Sequence, residues 1–349
     1  MTAPRHPYRQ LDRRSHWRSI SESDHPLDIG EWYKRKFELT DLRIGAAGSC
    51  FAQHIGRQLR DKGFRYVDVE PAPNLLRPER HAAYGYGIYS ARYGNIYTTR
   101  QLLQLLLRAT GEFEPLEQVW EREGGFVDPF RPTLEPEPMS RLEVNELRAD
   151  HLARVRKLFR SVDVFVFTLG LTEAWVDARD GAVYPVAPGV SGGSYDPKIH
   201  QFVNFDATQV RADLVAVLER ARGLNPAMRF ILTVSPVPLM ATASGQHVAV
   251  ATMYSKSVLR AVAGAVAEEF EYVDYFPSYE IIASPVMRGQ FYNRDMRSVN
   301  KAGVEHVMKQ FFSQHAPPGD GTSTDEQAAS EQEDAVCDEE LLSTFGEPG

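Results

Sequence analysis

Gly48-Ser49-Cys50 stands where the sequence changes from a strand-like to a helix-like pattern. The stretch 44–63, IGAAGSCFAQHIGRQLRDKG, predicts a short strand, a turn and a helix that ends at Gly63. A thiol at the first turn of a helix meets the positive end of the helix dipole, which favours the nucleophilic thiolate. The turn therefore predicts a cysteine nucleophile. The alternative is that Cys50 is a small buried hydrophobe, which is common for a free cysteine.

The same turn partly matches a dinucleotide-binding loop. Such a loop needs Gly-x-Gly-x-x-Gly between strand and helix, with an acid about 20 residues later. If Gly45 is the first glycine, Ala47 and Cys50 occupy the second and third glycine positions, while Asp68 and Glu70 stand where the acid is expected. Because the third position needs glycine for close helix–strand packing, the pattern favours the nucleophile. A nucleotide-binding, Rossmann-like domain stays as the weaker alternative.

Charge is unevenly distributed along the 349-residue chain, which has a net charge of −8. Ten of its 47 acidic residues and none of its 39 basic residues lie from Ala316 to the end. The rest of the chain is nearly neutral, so the composition gives no basis for a nucleic-acid partner. The two cysteines, Cys50 and Cys337, form no CxxC pair, and neither a disulfide framework nor a metal site is predicted.

The chain is expected to contain one α/β domain between two less regular ends. Residues 1–40 are predicted to form an N-terminal arm, 41–315 the domain with an insertion at about 111–150, and 316–349 a disordered acidic tail. No apolar run approaches the roughly 18 residues that span a bilayer. The basic N-terminal stretch lacks the apolar core of a signal peptide. We therefore expect a cytoplasmic location and no transmembrane segment.

Strand-like and helix-like segments alternate through the domain. After the first pair, strands are predicted at 65–70, 162–170, 228–238 and 272–276, and helices at 98–111, 212–223, 255–270 and 300–312. This alternation predicts a three-layer α/β/α fold with a mostly parallel, doubly wound, flavodoxin-like sheet. Functional sites in such sheets lie beyond the carboxyl ends of the strands.

Several strings in one order resemble a known family. Residues 48–52 resemble the motif that names the GSCFA domain family, and further matching strings follow: YGNIYT, DPFRP, FTLGLTEAW, SPVPL, YSKSVLRAVA and DYFPSYEII. The resemblance covers roughly residues 5–312 and is strongest to the proteobacterial branch. That family is regarded as similar to SGNH hydrolases, which are esterases and acyltransferases of the flavodoxin-like three-layer type.

The resemblance implies a nucleophile in the first turn. In SGNH enzymes, a Gly-Asp-Ser motif after the first strand carries the nucleophilic serine. Gly48 keeps the glycine place, Ser49 takes the aspartate position and Cys50 takes the serine position. A thiol nucleophile is therefore implied. Ser49 is the adjacent rival, although its hydroxyl would need a stronger base.

The resemblance also implies donors for an oxyanion. Gly94 and Asn95, after a tyrosine-rich stretch, are candidates beside the Cys50 backbone N–H. Gly170 opens a Gly-Leu-Thr-Glu string where SGNH enzymes have Gly-x-Asn-Asp, so Thr172 would donate a hydroxyl in place of the asparagine amide. Thr172 and Glu173 are alternatively a helix cap and one member of a structural ion pair.

The general base departs from the family pattern. The usual Asp-x-x-His before the last helix reads Asp295-Met296-Arg297-Ser298, so Ser298 holds the histidine place. His200 and His247, which follow later core strands on the carboxyl side of the sheet, are the candidate substitutes, and Asp295 could orient either one. The alternatives are two polar surface histidines and an aspartate cap of the final helix.

The residues and the resemblance together predict an SGNH-like esterase or O-acyltransferase with an acyl-thioester on Cys50. The acceptor would be water or a hydroxyl, which the resemblance extends to a glycan. Tyr86, Tyr89, Tyr93 and Trp175 could stack on a sugar, although dense aromatic residues are commonly packing. No cofactor is expected, and acyl-CoA is one candidate donor. The alternative is a non-catalytic protein that binds a carbohydrate or acyl ligand in a surface-polysaccharide system. No oligomeric state is predicted.

Overall fold

A computed structural model describes residues 6–318 and 338–345 of the chain. The strands are β1 (Ile44–Gly48), β2 (Trp120–Arg122), β3 (Gly125–Val127), β4 (Val164–Leu169), β5 (Glu173–Asp177), β6 (Val183–Tyr184), β7 (His200–Asn204), β8 (Arg229–Val234) and β9 (Val273–Tyr275). The α-helices are α1 (Arg18–Ser21), α2 (Ala52–Asp61), α3 (Thr99–Thr110), α4 (Arg141–Ser161), α5 (Ala207–Leu224), α6 (Val248–Glu269), α7 (Ser278–Ala283) and α8 (Lys301–Phe312). Among the described residues, no helix combines the length and hydropathy that crossing a membrane requires.

The central sheet is parallel, with the strand order β1-β4-β8-β9. On the outer edge of β1, Ile44 forms a parallel bridge with Tyr66. The order is therefore the flavodoxin-like 2-1-3-4-5, with the second strand reduced to one bridge. The predicted strand at 65–70 stops there because Asp68 accepts a hydrogen bond from the Glu70 N–H, and Val69 bonds to Ser90 instead of β1.

Helices cover both faces of this sheet. Phe165 and Phe167 of β4 pack with α3, α4, α5 and α6, whereas Val164 and Val166 pack with α2, α7 and α8. Alternate side chains of a strand point to opposite faces, so a strand covered on both sides is apolar throughout. The prediction of a mostly parallel three-layer α/β/α fold is confirmed.

A second sheet follows β4 and was absent from the prediction. It is antiparallel, with the order β6-β5-β7. The β2–β3 hairpin packs against it through Trp120 and Val127, which share a buried cluster with Tyr184. The predicted insertion at about 111–150 therefore differs in its end from the structure. A capping box between Ser140 and Glu143 starts α4, a layer helix, inside that range.

Both terminal regions contain residues with defined structure or contacts. In the N-terminal arm, the buried Tyr33 donates a hydrogen bond of 2.6 Å to Asp274 Oδ2 at β9. Most of the predicted disordered tail, residues 319–337 and 346–349, lies outside the described residues. Within that tail, the structure describes a 3₁₀ helix over Asp338–Phe345.

Candidate active site

A tight turn joins β1 to α2. Gly48 has φ +149°, which L side chains rarely adopt, and a Cβ added there would lie 2.7 Å from Thr168 Cβ. The Ser49 N–H donates to the Thr168 carbonyl oxygen at 3.1 Å, so the turn is fixed to the end of β4. Only three residues, 49–51, separate the strand from the helix, and they bring Cys50 to the carboxyl edge of the sheet.

Ser49 points into the protein. Its side chain is 3% exposed, and its Oγ has no hydrogen-bond partner among the described residues. A Cβ added at Gly170 would lie 3.0 Å from Ser49 Cβ, so these two residues are closely packed. A substrate cannot reach this hydroxyl without displacing the packing around it.

Cys50 is half-buried and packs against an apolar cluster formed by Tyr97, Leu171 and Leu239. These three residues line a cavity of about 210 Å³. Of the two candidate nucleophiles, Cys50 is thus the one that packs against the wall of a cavity, although it is not itself a lining residue.

Glu173 supplies an ionisable group to the same cavity. Its carboxylate oxygen Oε1 accepts a hydrogen bond of 2.7 Å from Thr242 Oγ1, and the residue is 8% exposed. Burial raises the pKa of Glu173, partly offset by this hydrogen bond. A buried carboxyl group with a raised pKa is suited to proton transfer, whereas the sequence indicated Glu173 only as a substrate-binding residue or an ion-pair member.

Asn95 is held beside the turn. The Ile96 N–H donates to the Gly48 carbonyl oxygen at 2.8 Å, which ties the two loops together. Tyr89 donates to Asn95 Oδ1 at 2.6 Å, so the oxygen end of the amide is an acceptor and the Nδ2 end is directed away from Tyr89. Gly94 has φ +68°, the left-handed conformation that glycine adopts readily, and permits the approach of this loop.

Thr172 does not have the orientation expected of an oxyanion donor. Its hydroxyl donates to Asn204 Oδ1 at 2.6 Å, and its N–H donates to Ser255 Oγ at 3.0 Å. The residue is fully buried, and its hydroxyl proton is donated to Asn204 and not to a ligand site. Gly170, by contrast, lies at the turn, where its N–H donates to the Tyr97 carbonyl oxygen at 2.9 Å.

Lys256 lies beside the loop after β4, and no pattern in the sequence predicted it there. It is 2% exposed, and its Nζ donates to the Gly170 carbonyl oxygen at 2.5 Å. A lysine on a helix is ordinarily solvated, and only the fold brings this one against the loop after β4. The lone signal is its place among core-facing positions of α6, such as Leu259 and Ala263.

His200 lies away from the turn. It pairs with Asp177 at the far end of β5 from Glu173, roughly 13 Å along the strand at about 3.3 Å per residue. It is buried, its Nδ1 accepts a hydrogen bond of 3.0 Å from the Asp196 N–H, and its Nε2 lies 3.5 Å from Glu117 Oε1. The structure does not bring this imidazole to Cys50.

His247 is closer but differently bonded. It is the exposed N-cap of α6, and the next residue, Val248, packs on the apolar cluster beside Cys50. Its Nδ1 accepts from the Ala249 N–H at 3.1 Å. In the neutral imidazole the proton is then on Nε2. The lone pair of Nδ1 is engaged by the Ala249 N–H, and the protonated Nε2 has no lone pair with which to accept a proton.

Asp295 is bonded within its own turn. Its carboxylate accepts from Ser298 Oγ at 2.5 Å and from the Arg297 N–H at 3.0 Å, and these bonds, the Ser298 hydroxyl foremost, lower the pKa of Asp295. It therefore orients neither histidine. The cap of α8 is Asn300, whose side chain accepts from the Gly303 N–H at 2.9 Å.

A buried Glu70–His151 pair supports the loop that carries Asn95. His151 Nδ1 lies 2.8 Å from Glu70 Oε2, which also accepts from the Arg92 N–H at 2.8 Å. Burial alone would raise the pKa of Glu70, but His151 and Arg131 outweigh it and lower the pKa to about 2. Glu70 therefore faces this network instead of a nucleotide ribose, and Asp68 is turned to its own loop. Neither of the two acids predicted for a dinucleotide-binding loop is therefore directed at a nucleotide site.

Folding stability should fall as the pH decreases from about 6.5 to about 4, partly through His151. Burial lowers the pKa of His151 to about 4, so the folded state keeps it neutral while the unfolded chain protonates near 6.5. Its contribution is complete above that value and is lost as the pH falls. Burial also lowers the pKa of His306 and His315. Urea midpoints from pH ~7 to ~5 should fall less steeply for His151→Gln; an identical slope would contradict this.

The aromatic residues divide into two groups. Tyr89 and Tyr93 are each 3% exposed, so they are packing residues and cannot stack on a sugar as predicted. Tyr86 is covered by the Arg92 guanidinium, 4.1 Å from the ring centroid. Trp175 alone of the four lines the cavity beside Cys50.

Solved structures similar to this chain include three esterases. An acetyl esterase crystallised with acetate ion is 12% identical, with a TM-score of 0.34 over 78% of this chain and 95% of that one. A carbohydrate esterase family 3 protein from Talaromyces cellulolyticus is 11% identical, with a TM-score of 0.37 over 78% and 95%. A family 3 carbohydrate esterase from Clostridium thermocellum is 10% identical, with a TM-score of 0.34 over 78% and 94%.

Comparison with curated proteins gave no match. The family model described as the GSCFA family matches residues 43–311, which include the whole central sheet and the turn at Cys50. The resemblance inferred from the strings of the sequence is therefore confirmed at the level of the family. The chain belongs to the GSCFA family.

Proposed function

We propose that the protein is an esterase or O-acyltransferase that forms an acyl-enzyme on Cys50. The observation that carries the proposal is the wall of the 210 Å³ cavity. Cys50 packs against three residues of its wall, and Glu173, a carboxyl group with a raised pKa, lines the same wall. A nucleophile, a proton-transfer group and an apolar recess are the parts that acyl transfer needs.

Glu173 takes the role of acid and base in this proposal. The thiol proton passes to the Glu173 carboxylate as the sulfur of Cys50 attacks the acyl carbonyl carbon. When the tetrahedral intermediate collapses, the bond from carbon to the alcohol oxygen breaks, and Glu173 returns the proton to that oxygen. Water or an acceptor hydroxyl then attacks the thioester and gives its proton to Glu173. The acid or new ester leaves, and the sulfur regains the proton.

The oxyanion is stabilised by donors at the turn. The Asn95 amide, fixed by Tyr89 in the loop tied to Gly48, and the Cys50 backbone N–H are the donors in this proposal. Lys256 bonds to the Gly170 carbonyl oxygen and so acts as a positioning residue for the loop packed on Ser49. Preorganised donors of this kind typically contribute about 10²–10³ in rate. The substrate is a small molecule or a glycan ester, with Trp175 in the cavity wall available for contact.

Intact-mass measurement tests the covalent step. The protein is incubated with an activated acetyl ester and, separately, with acetyl-CoA. We expect one acetyl group on the wild type, one on Ser49→Ala and on Cys337→Ser, and none on Cys50→Ala. An adduct that survives Cys50→Ala, or that disappears with Ser49→Ala alone, would contradict the assignment to the thiol.

A second candidate function is binding without turnover. The observation that favours it is the turn at Asp295, whose carboxylate is bonded to Ser298 in the place of the usual histidine. In that case the protein would hold a carbohydrate or acyl ligand. The absence of an adduct, together with alkylation of Cys50 at the rate of an ordinary thiol, would favour this function over catalysis.

A further inference from the structure

The C-terminal 3₁₀ helix reaches the candidate site with three successive residues. Leu342 lines the 210 Å³ cavity beside Cys50. Leu341 lines a second cavity of about 310 Å³, whose wall includes Gly94 and Asn95. Glu340 Oε1 lies 3.8 Å from Arg297 Nη1. The segment Asp338–Phe345 therefore contacts the site from both sides of the turn.

Each of these contacts lies at the carboxyl edge of the sheet. Arg297 is held there because its Nε donates to the Pro238 carbonyl oxygen at 3.1 Å, and the following Leu239 belongs to the cluster on which Cys50 packs. The Asn95 loop is tied to the other side of the turn. Leu342 thus lines a cavity whose wall includes the loop after β8, and Leu341 lines a cavity whose wall includes the loop that carries Asn95.

The chemistry of the segment matches these surfaces. Leu341 and Leu342 are half-buried, whereas Phe345 of the same helix is 71% exposed. Burial is therefore selective for the two leucines. The wall around Leu342 is mostly apolar, with Tyr97, Leu171 and Trp175 among its residues. Removal of aliphatic side chains from water into such a wall is favourable.

We propose that Asp338–Phe345 covers the candidate site and that Leu342 forms part of the wall of the subsite for the acyl group of the substrate. A cavity of about 210 Å³ with a mostly apolar wall suits a short aliphatic acyl group, since an apolar cavity of about 150 Å³ holds benzene. The identification of the cavity as an acyl subsite rests on the proposed function, whereas the covering of Cys50 does not.

Alkylation of Cys50 tests the cover without any turnover. In a full-length Cys337→Ser background, Cys50 is the single thiol. We expect Leu341→Ser/Leu342→Ser to raise the rate of iodoacetamide alkylation at neutral pH at least several-fold. Phe345→Ser, a matched change on the exposed side of the same helix, should leave the rate unchanged. Equal rates in all three proteins, or an equal increase in both variants, would overturn the proposal.

Protection by a small acid tests the acyl subsite separately. Isovalerate, a short branched acid, should slow alkylation of Cys50 in the parent protein, and a higher concentration should be needed in Leu341→Ser/Leu342→Ser, which lacks one apolar wall residue of the cavity. Absence of protection in both proteins would overturn the acyl assignment while leaving the cover intact. The urea unfolding midpoint is measured for each variant. A variant with a lowered midpoint exposes Cys50 through unfolding, and its faster alkylation is then not due to loss of the cover.

Discussion

Glu173→Gln should lower kcat/KM for ester cleavage by roughly 10²- to 10⁴-fold, the usual range for loss of a general acid–base group. The amide can still accept the hydrogen bond from Thr242, so the packing is kept while proton transfer is lost. Because burial raises the pKa of Glu173, wild-type activity should fall as the pH decreases through that raised value. This inflection should be absent from the pH profile of the variant.

Glu305→Gln, an exposed change of the same type on α8, is the matched control and should leave the profile unchanged. The raised pKa of Glu173 also affects how folding stability depends on pH. A carboxyl group whose pKa is raised by folding contributes stability below its unfolded pKa and loses it as the pH rises through the folded value. Glu173→Gln should therefore be more stable than the wild type near pH ~7 in urea unfolding. A variant with wild-type activity would remove Glu173 from the mechanism.

Gly48→Ala should destabilise the fold by roughly 3–5 kcal/mol, from a backbone conformation reserved for glycine together with overpacking. Its φ of +149° and the 2.7 Å approach of an added Cβ to Thr168 Cβ leave no room for a methyl group. The displaced strand end would also move Cys50. Urea unfolding measures the loss.

Gly223→Ala is the control for this change. Gly223 lies in α5 with open space around it, so alanine there should stabilise by about 0.4–1 kcal/mol. If both glycine variants unfold at the wild-type midpoint, the tight contact between β1 and β4 is not what holds the turn.

The parts of the fold that local patterns specify were predictable. Thr98 and Gly111 bound α3 because a capping box and a left-handed residue are encoded within a few positions. The continuous apolar run of β4 indicated burial on both faces. The antiparallel sheet β6-β5-β7 was missed, because its strands are short and its pairing partners lie far apart in the sequence, as with Glu173 and Asn204.

The candidate site was predictable only in its first half. The turn at Cys50 and the loop at Asn95 have sequence signatures, whereas the roles of Glu173 and Lys256 arise from burial. Burial of a charged group depends on the neighbours that the fold supplies, which no local spacing specifies. For the same reason, His200 and His247 were good candidates by strand position and poor ones by hydrogen bonding.

The antiparallel sheet β6-β5-β7 supplies part of the cavity wall, whereas the parallel sheet fixes the turn that carries Cys50. The turn of Cys50 is fixed by the parallel strands β1 and β4, whereas Trp175 and Phe202, which line the cavity, come from β5 and β7. Side chains on the appended sheet can be exchanged without changing the backbone that carries the thiol. Under the proposed function, exchanges on this sheet would alter which ligands fit the cavity while the turn of Cys50 keeps its backbone.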